Sequence, residues 1–415
     1  MKILQVNGYE SPGRRFHGLA LTEQFRMKGV DSTHIIWERD TADEKVLSYT
    51  APHARAINSM YQRVESRLGL QSVFYTNGDY LIERPEYQDA DLIHLHLVHT
   101  GYLSLFDLPR IMGSKPVVWT LHDPWAFSGH CTYSFDCERW RTGCGNCPDL
   151  SIPMTVTRDS SAIMHDLKRQ LLDTCAFEVV VASSWMEARA KASPIFQGVP
   201  VHRVPFGLNL EFFGKGDRVA ARHRFGIPEG AVVIGFRSQV GAYKGFEYID
   251  NALAQIESRE DLWLLTTAST GLLERHRGRF GVVELGWTND DVMMRDFYAA
   301  LDIFLMPSVE EAFGVMAIEA MASSCPVIVF EGTALPEVTR APDVGIQVAN
   351  RDWRGLATAI QRLIDNPEER DRRGQLGRRL VEHEYDEDVH VQRMVELYEG
   401  VIKRFRTPRG KRAKV

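Results

Sequence analysis

The chain has 415 residues, 44% of them hydrophobic and 25% charged, which suits two globular domains of roughly 200 residues and excludes a disordered or fibrous polymer. Its net charge of -6 and pI near 6.2 exclude a globally basic surface of the nucleic-acid-binding kind. No apolar run approaches the roughly 20 residues that span a bilayer.

The first residues, MKILQVNG, read as a buried strand with no basic leader or cleavage site, so the expected location is the cytoplasm. Short β-branched runs then alternate with segments of helical period, the pattern of parallel βαβ units. Strands are predicted at Lys2–Val6, His34–Trp37, Leu92–Leu97, Val117–Leu121 and Glu178–Ala182, with helices at Gly18–Lys28, Ala54–Leu68 and Ile163–Asp173. Val201–Phe213, punctuated by Pro205 and Gly207, fits an interdomain connector. A second set of strands follows at Val232–Phe236, Leu262–Thr266, Val282–Leu285, Ile303–Met306 and Pro326–Phe330, and Trp353–Arg406 reads as charged-faced helices. The expected architecture is α/β: two doubly wound Rossmann-like domains facing a central cleft, with ligands at the carboxyl ends of the strands. The domains are residues 1–204 and 205–385. Residues 386–415 form a helix returning to the first domain, plus a tail.

The most informative stretch is 303–330. A strand ends in the loop SVEEAFG, and the helix VMAIEAMAS leads to the strand PVIVF. Phe313, Gly314 and Val315 sit at the loop-to-helix junction, where backbone N–H groups without intrahelical partners attract phosphate. Glu311 and Glu319 are positioned to face one bound ligand, and carboxylates accept well from sugar hydroxyls. Met306-Pro307-Ser308, Glu311, Phe313-Gly314, Glu319-Ala320, Pro326-Val327-Ile328 and Leu335-Pro336-Glu337 together resemble the E-x7-E region of retaining GT-B glycosyltransferases of family 4. The resemblance implies that Glu311 contacts the donor sugar and Glu319 the ribose. Ser324 departs from a common glycine, a change expected to affect packing only. IGFRSQVGAYKG resembles the family's diphosphate-holding segment, which gives Arg237 and the Lys244-Gly245 pair that role, although the loop between them is long. Trp287, in Gly286-Trp287-Thr288, falls where the family faces the base, or is a core residue.

In the first half, NGYESPGRRFHG resembles the family's glycine turn through Gly8 and Gly13, with Arg14, Arg15 and His17 beside it. The segment from Asp91, through TLHDPW to the cysteines, resembles transferases of bacterial exopolysaccharide and O-antigen assembly, including colanic-acid types. His122 is then the donor-sugar or acceptor-facing histidine, and Asp123 orients it or meets an acceptor hydroxyl. His94, His96 and His99 alternate along a strand and its end and are not expected to share one site. Asp89-Ala90-Asp91 precedes its strand and is not a metal-binding DxD motif. Cys131, Cys137, Cys144 and Cys147, spaced C-x5-C-x6-C-x2-C, suit a structural zinc, with His122 and His130 as substitute ligands; free thiols and disulfides are the alternatives. The cysteine insertion covers about 122–150.

Lys403–Val415 holds seven basic residues and no acidic one, a solvated tail or an anchor to an anionic inner leaflet. The expected activity is retaining, metal-independent transfer of a sugar from a nucleoside diphosphate to a saccharide acceptor, implied to be lipid-linked, in surface polysaccharide synthesis. No nucleic-acid partner and no catalytic cofactor are expected. A GT-B epimerase or phosphorylase, and a noncatalytic nucleotide-sugar-binding partner, are the alternatives.

Overall fold

A computed structural model describes residues 1–10, 18–39, 46–48, 54–152, 154–214, 216–241 and 243–406, with Arg55 described by its backbone alone. Gly13, Arg14, Arg15, His17 and the tail beyond Arg406 lie outside the described residues. The chain divides into two compact units: Met1–Val204 with the segment from Asp388, and Pro205–Glu387.

The first unit is built on β1 (Lys2–Tyr9), β2 (Asp31–Glu38), β3 (Val46–Ser48), β4 (Leu92–Leu95), β5 (Val117–Thr120), β6 (Glu178–Val181) and β7 (Val201–Arg203). All pair in parallel, in the order β3-β2-β1-β4-β5-β6-β7. The direction of winding reverses between β1 and β4, where the carboxyl ends open a crevice. The expected connector is corrected here, because Val201–Arg203 pairs with β6 as an edge strand. Its partly exposed residues carry no apolar run that would announce a strand. The helices of this unit include α1 (Ala54–Leu68) and α2 (Ser161–Asp173).

The second unit carries β8 (Val232–Ser238), β9 (Leu262–Ala268), β10 (Gly281–Glu284), β11 (Ile303–Met306), β12 (Val327–Phe330) and β13 (Ile346–Val348). These are again parallel, in the order β10-β9-β8-β11-β12-β13, with the switch between β8 and β11. Helices α3 (Phe246–Gln255) and α4 (Val315–Ala322) follow β8 and β11. One face of the sheet buries Ile234, Phe236, Leu264 and Leu305 against Ile249, Leu253, Leu356 and Ile360.

The last helix, α5 (Glu387–Arg406), belongs to the first unit. It lays Val391, Met394, Tyr398 and Ile402 on Ile3, Leu92, Val118 and Val180 of that sheet. Arg404 adds two 2.7 Å hydrogen bonds to the Glu178 carboxylate, which also receives His202 at 2.6 Å.

Candidate active site

In the second unit the expected donor residues gather at the β8/β11 switch. Lys244 Nζ donates to Glu311 Oε2 at 2.8 Å, and both side chains are largely shielded from solvent. Gly245 caps α3 in the left-handed region (φ 73°), and a Cβ there would lie 1.9 Å from the Pro307 carbonyl oxygen. Only glycine lets the Lys244 loop lie this close to the loop after β11. Val309 N–H donates to the Tyr243 carbonyl at 2.9 Å, joining the same two loops. Gly314 caps α4 at φ 97°, turning the chain so that the first amides of the helix end beside Glu311. The Phe313 side chain faces away, edge-on to Phe206 and Tyr385, so this residue has only its backbone to offer a ligand.

The two glutamates differ in setting. Glu311 is partly exposed, whereas Glu319 is 1% exposed and its Oε2 accepts from Tyr298 OH at 2.6 Å. Residues 317–322 of α4 are buried, and position 319 falls among them, so the two carboxylates present to a ligand differently. Arg237 stacks its guanidinium over Trp287, 4.9 Å from the ring centroid, and Trp287 is 64% exposed, which excludes the core reading. Arg237 Nε is buried without a partner among the described residues. Ser324 is also corrected. It sits in the left-handed region (φ 56°), so what a glycine would change is backbone strain rather than packing.

In the first unit, Gly8 lies within β1, not in a turn, and a Cβ there would meet Thr100 Oγ1 at 1.9 Å. His122 follows β5, and its Nε2 lies 3.1 Å from His96 Nδ1 with the rings stacked. His96 Nε2 meets Gln5 Oε1 at 2.8 Å, Gln5 Nε2 donates to Tyr398 OH at 3.3 Å, and Tyr398 OH meets His94 Nδ1 at 2.7 Å. His94 ends the chain of contacts on Thr120 Oγ1 at 2.7 Å. Burial first, and then neighbouring histidine charge, hold His94 well below the usual imidazole range. Asp123 does not orient His122 directly. It accepts from the Trp125 amide at 2.9 Å and pairs with His99 Nε2 at 3.2 Å. Burial pushes the Asp123 acid up, but the charge and hydrogen bond of His99, the Trp125 amide and His122 outweigh it, leaving the acid below its usual range.

His94 and His96 share a strand face by the period of two, with ring centroids 4.2 Å apart, whereas His99, past the strand end, meets Asp123 instead, so the three do not converge on one group. Lys168 was missed. It is fully buried on α2 and donates to the carbonyls of Trp125 at 2.6 Å and Ser128 at 3.0 Å, with its ammonium 3.6 Å from the Trp125 ring centroid. Burial pushes its ammonium down to about 7, opposed by Cys131, Cys144 and Asp123. The period-four series Met164, Lys168, Leu172 on the buried face was the available signal.

The four cysteines of the insertion are free thiols in one loop. Gly129 N–H donates to Cys144 Sγ at 3.2 Å, and His130 Nε2 lies 3.2 Å from Cys147 Sγ. Among the described residues no three His, Cys, Asp or Glu side chains converge to hold a metal ion, so the cage read from the spacing is not assembled. Burial pushes the Cys131 thiol up to about 12 and Cys144 up to about 11.

Known proteins share this arrangement in part. Residues 231–366 match the family Glycosyl transferases group 1. The matched residues all fall in the second unit, from the start of β8 through the loop of Glu311 and α4 to the end of the helix Trp353–Asp365 that follows β13. Among curated relatives, D-inositol 3-phosphate glycosyltransferase 2 of Catenulispora acidiphila is 32% identical over 193 residues, 43% of this chain and 44% of that one. The putative colanic acid biosynthesis glycosyl transferase WcaC of Escherichia coli is 37% identical over 87 residues, 19% of this chain and 22% of that one. The chain thus spans less than half the length of these relatives. Among solved structures, Anabaena HepE in complex with UDP and glucose superimposes with a TM-score of 0.64 at 16% identity, covering 96% of this chain and 100% of that one. The likeness extends over both Rossmann-like units and shows the GT-B fold.

Proposed function

We propose that the chain is a glycosyltransferase that moves a sugar from a nucleoside diphosphate donor to a saccharide hydroxyl. The observation that carries this reading is the Lys244–Glu311 pair beside the left-handed Gly314 cap, at the switch point of a sheet whose residues match the group 1 family. In this reading Lys244, Arg237 and the first amides of α4 stabilise the charge that grows on the leaving diphosphate. Glu311 engages the transferred sugar. Glu319 engages the ribose once the Tyr298 contact opens, and Trp287 covers the base. Retention at the anomeric carbon, independence of a catalytic metal and a lipid-linked acceptor in surface polysaccharide assembly complete the proposal. The name of WcaC and the UDP and glucose held by HepE support its direction.

The test is a thermal-shift screen of UDP-, GDP-, ADP- and dTDP-sugars, followed by NMR of the product formed from the best donor. One donor should stabilise the chain and yield a glycoside with the donor's anomeric configuration. A free epimerised sugar, phosphate-dependent cleavage, or donor binding without turnover would each assign the site to a different class.

No helix among the described residues is long and apolar enough to cross a membrane. The basic tail is proposed to hold the protein at an anionic cytoplasmic surface, at roughly 1 kcal/mol per charge. Equal vesicle binding by a chain ending at Arg406 would sink that idea. For the cysteine loop a structural zinc is proposed, bound after the four sulfurs rotate to a common centre, and less than about a tenth of a zinc per purified chain would rule it out.

A further inference from the structure

The long loop between Arg237 and Lys244 is clasped on itself. Gln239, just past β8, donates from Nε2 to the Tyr243 hydroxyl at 2.8 Å. Gly241 makes the turn between them. Its φ of 138° lies in the region that favours glycine, and a Cβ there would sit 3.2 Å from Cε1 of the Tyr243 ring. Val240, on the outside of the turn, is 69% exposed, so burial does not fix the turn at that residue. The other end of the Gln239 amide, Oε1, is buried without a partner among the described residues. The bond to Tyr243 is thus the one hydrogen bond this side chain makes among them.

Tyr243 passes this restraint to Lys244 in two ways. Its carbonyl accepts from Val309 N–H at 2.9 Å, which fixes the backbone on one side of Lys244. Gly245, against the Pro307 carbonyl, fixes it on the other. The centroid of the Tyr243 ring lies 5.7 Å from Lys244 Nζ, close enough for the ring to attract the ammonium. In the free chain that ammonium is also held by Glu311 at 2.8 Å. A diphosphate sugar that engages both groups dissolves this ion pair and gives the flexible stem of Lys244 its freedom back. The clasped ring then remains as the restraint on the ammonium.

We propose that Gln239 is a positioning residue for Lys244, acting through the hydroxyl and ring of Tyr243 once a donor is bound. The reaction it serves rests on the proposed glycosyltransferase activity; the clasp itself does not. Glu311 holds Lys244 before the donor arrives, so loss of the clasp spares donor binding. Its effect falls on the step in which charge grows on the leaving diphosphate. Gln239 and Tyr243 act as one unit, so their removal is not additive.

The test compares Gln239→Leu, Tyr243→Phe and the double variant in the full chain. Release of nucleoside diphosphate is followed from UDP-glucose, GDP-mannose, ADP-glucose and dTDP-glucose. Hydrogen exchange at the Val309 amide, measured without donor, reports on the clasp alone. Each single variant should lower kcat about tenfold, the scale of one hydrogen bond, with the donor KM within about twofold of native. The double variant should lose no more than either single one. Val309 N–H should exchange about tenfold faster in all three, as its partner carbonyl loosens. Unchanged kcat, losses that multiply to about 100-fold, a raised KM at native kcat, or native protection of Val309 would each overturn the proposal. Release from none of the four donors by the native chain would sink the glycosyltransferase reading instead. Val309 exchange then decides alone whether Gln239 holds the Lys244 loop.

Discussion

Lys244 and Glu311 each answer a different need of a diphosphate sugar, and the 2.8 Å contact between them holds both where a donor would divide them. The cost of removing either falls more on the reaction than on the fold. Glu311→Ala and Lys244→Met are expected to lower kcat by about 100- to 1,000-fold, the scale of losing one group aimed at developing charge, with a smaller loss of melting temperature than Glu319→Ala. Near-normal transfer by Glu311→Ala would contradict its assignment. Glu319→Ala should behave differently, because it removes the carboxylate to which the fully buried Tyr298 hydroxyl donates and so costs about 1–3 kcal/mol of stability as well as donor affinity. Equal melting temperatures for Glu311→Ala and Glu319→Ala would refute this contrast. The pair was legible in sequence because a strand, a glycine turn and a helix fix its spacing locally. Glu319's burial was not, because Tyr298 comes from the preceding helix and only packing brings the two together.

Among the elements, α5 does more than close the core. Tyr398 on α5 places its hydroxyl between His94 and Gln5, and the Gln5 amide in turn sets the protons of the next two histidines. An amide oxygen only accepts, so His96 must carry its proton on Nε2, which leaves Nδ1 to accept from His122 Nε2–H. In its neutral form His122 then carries its proton on Nε2 and leaves Nδ1 unprotonated. Gln5→Leu removes the amide that imposes this order. The 15N shifts of the His122 ring should show one tautomer in the native chain and a mixture in the variant. An unchanged tautomer would show that Gln5 does not set it. None of this network was readable from the sequence. Gln5, His96 and His122 come from three neighbouring strands or their ends, and Tyr398 arrives from the end of the chain.

At the scale of the whole molecule, alternating βαβ segments announced both sheets, since buried parallel strands read as continuous β-branched runs. The short strands β3, β7 and β13 lacked that signal, and β7 was hidden inside what read as a connector. The dependence of the first unit on the last helix makes the sharpest prediction at this scale. Val391, Met394, Val395, Tyr398, Val401 and Ile402 are all buried on the first sheet. At about 1.5–3 kcal/mol each, their burial amounts to roughly 10 kcal/mol, as large as the net stability of a typical domain. A chain ending at Glu387 should therefore lose the cooperative melting of the first unit, and a native-like near-UV spectrum from it would refute the argument. The polar end of the same helix adds a pH signature. Burial raises the Glu178 acid, but hydrogen bonds from His202 and Arg404 and the Arg404 charge bring it down to about 2. Because the folded value lies below the unfolded one, this stabilisation is present above the usual carboxylate range and is lost as the pH falls from about 4.5 toward 2. Arg404→Ala should cost about 1.5–3 kcal/mol at neutral pH, the worth of hydrogen bonds to a charged group. That difference from the native chain should shrink as the medium is acidified through this window, and a difference independent of pH would show that Arg404 contributes through packing alone.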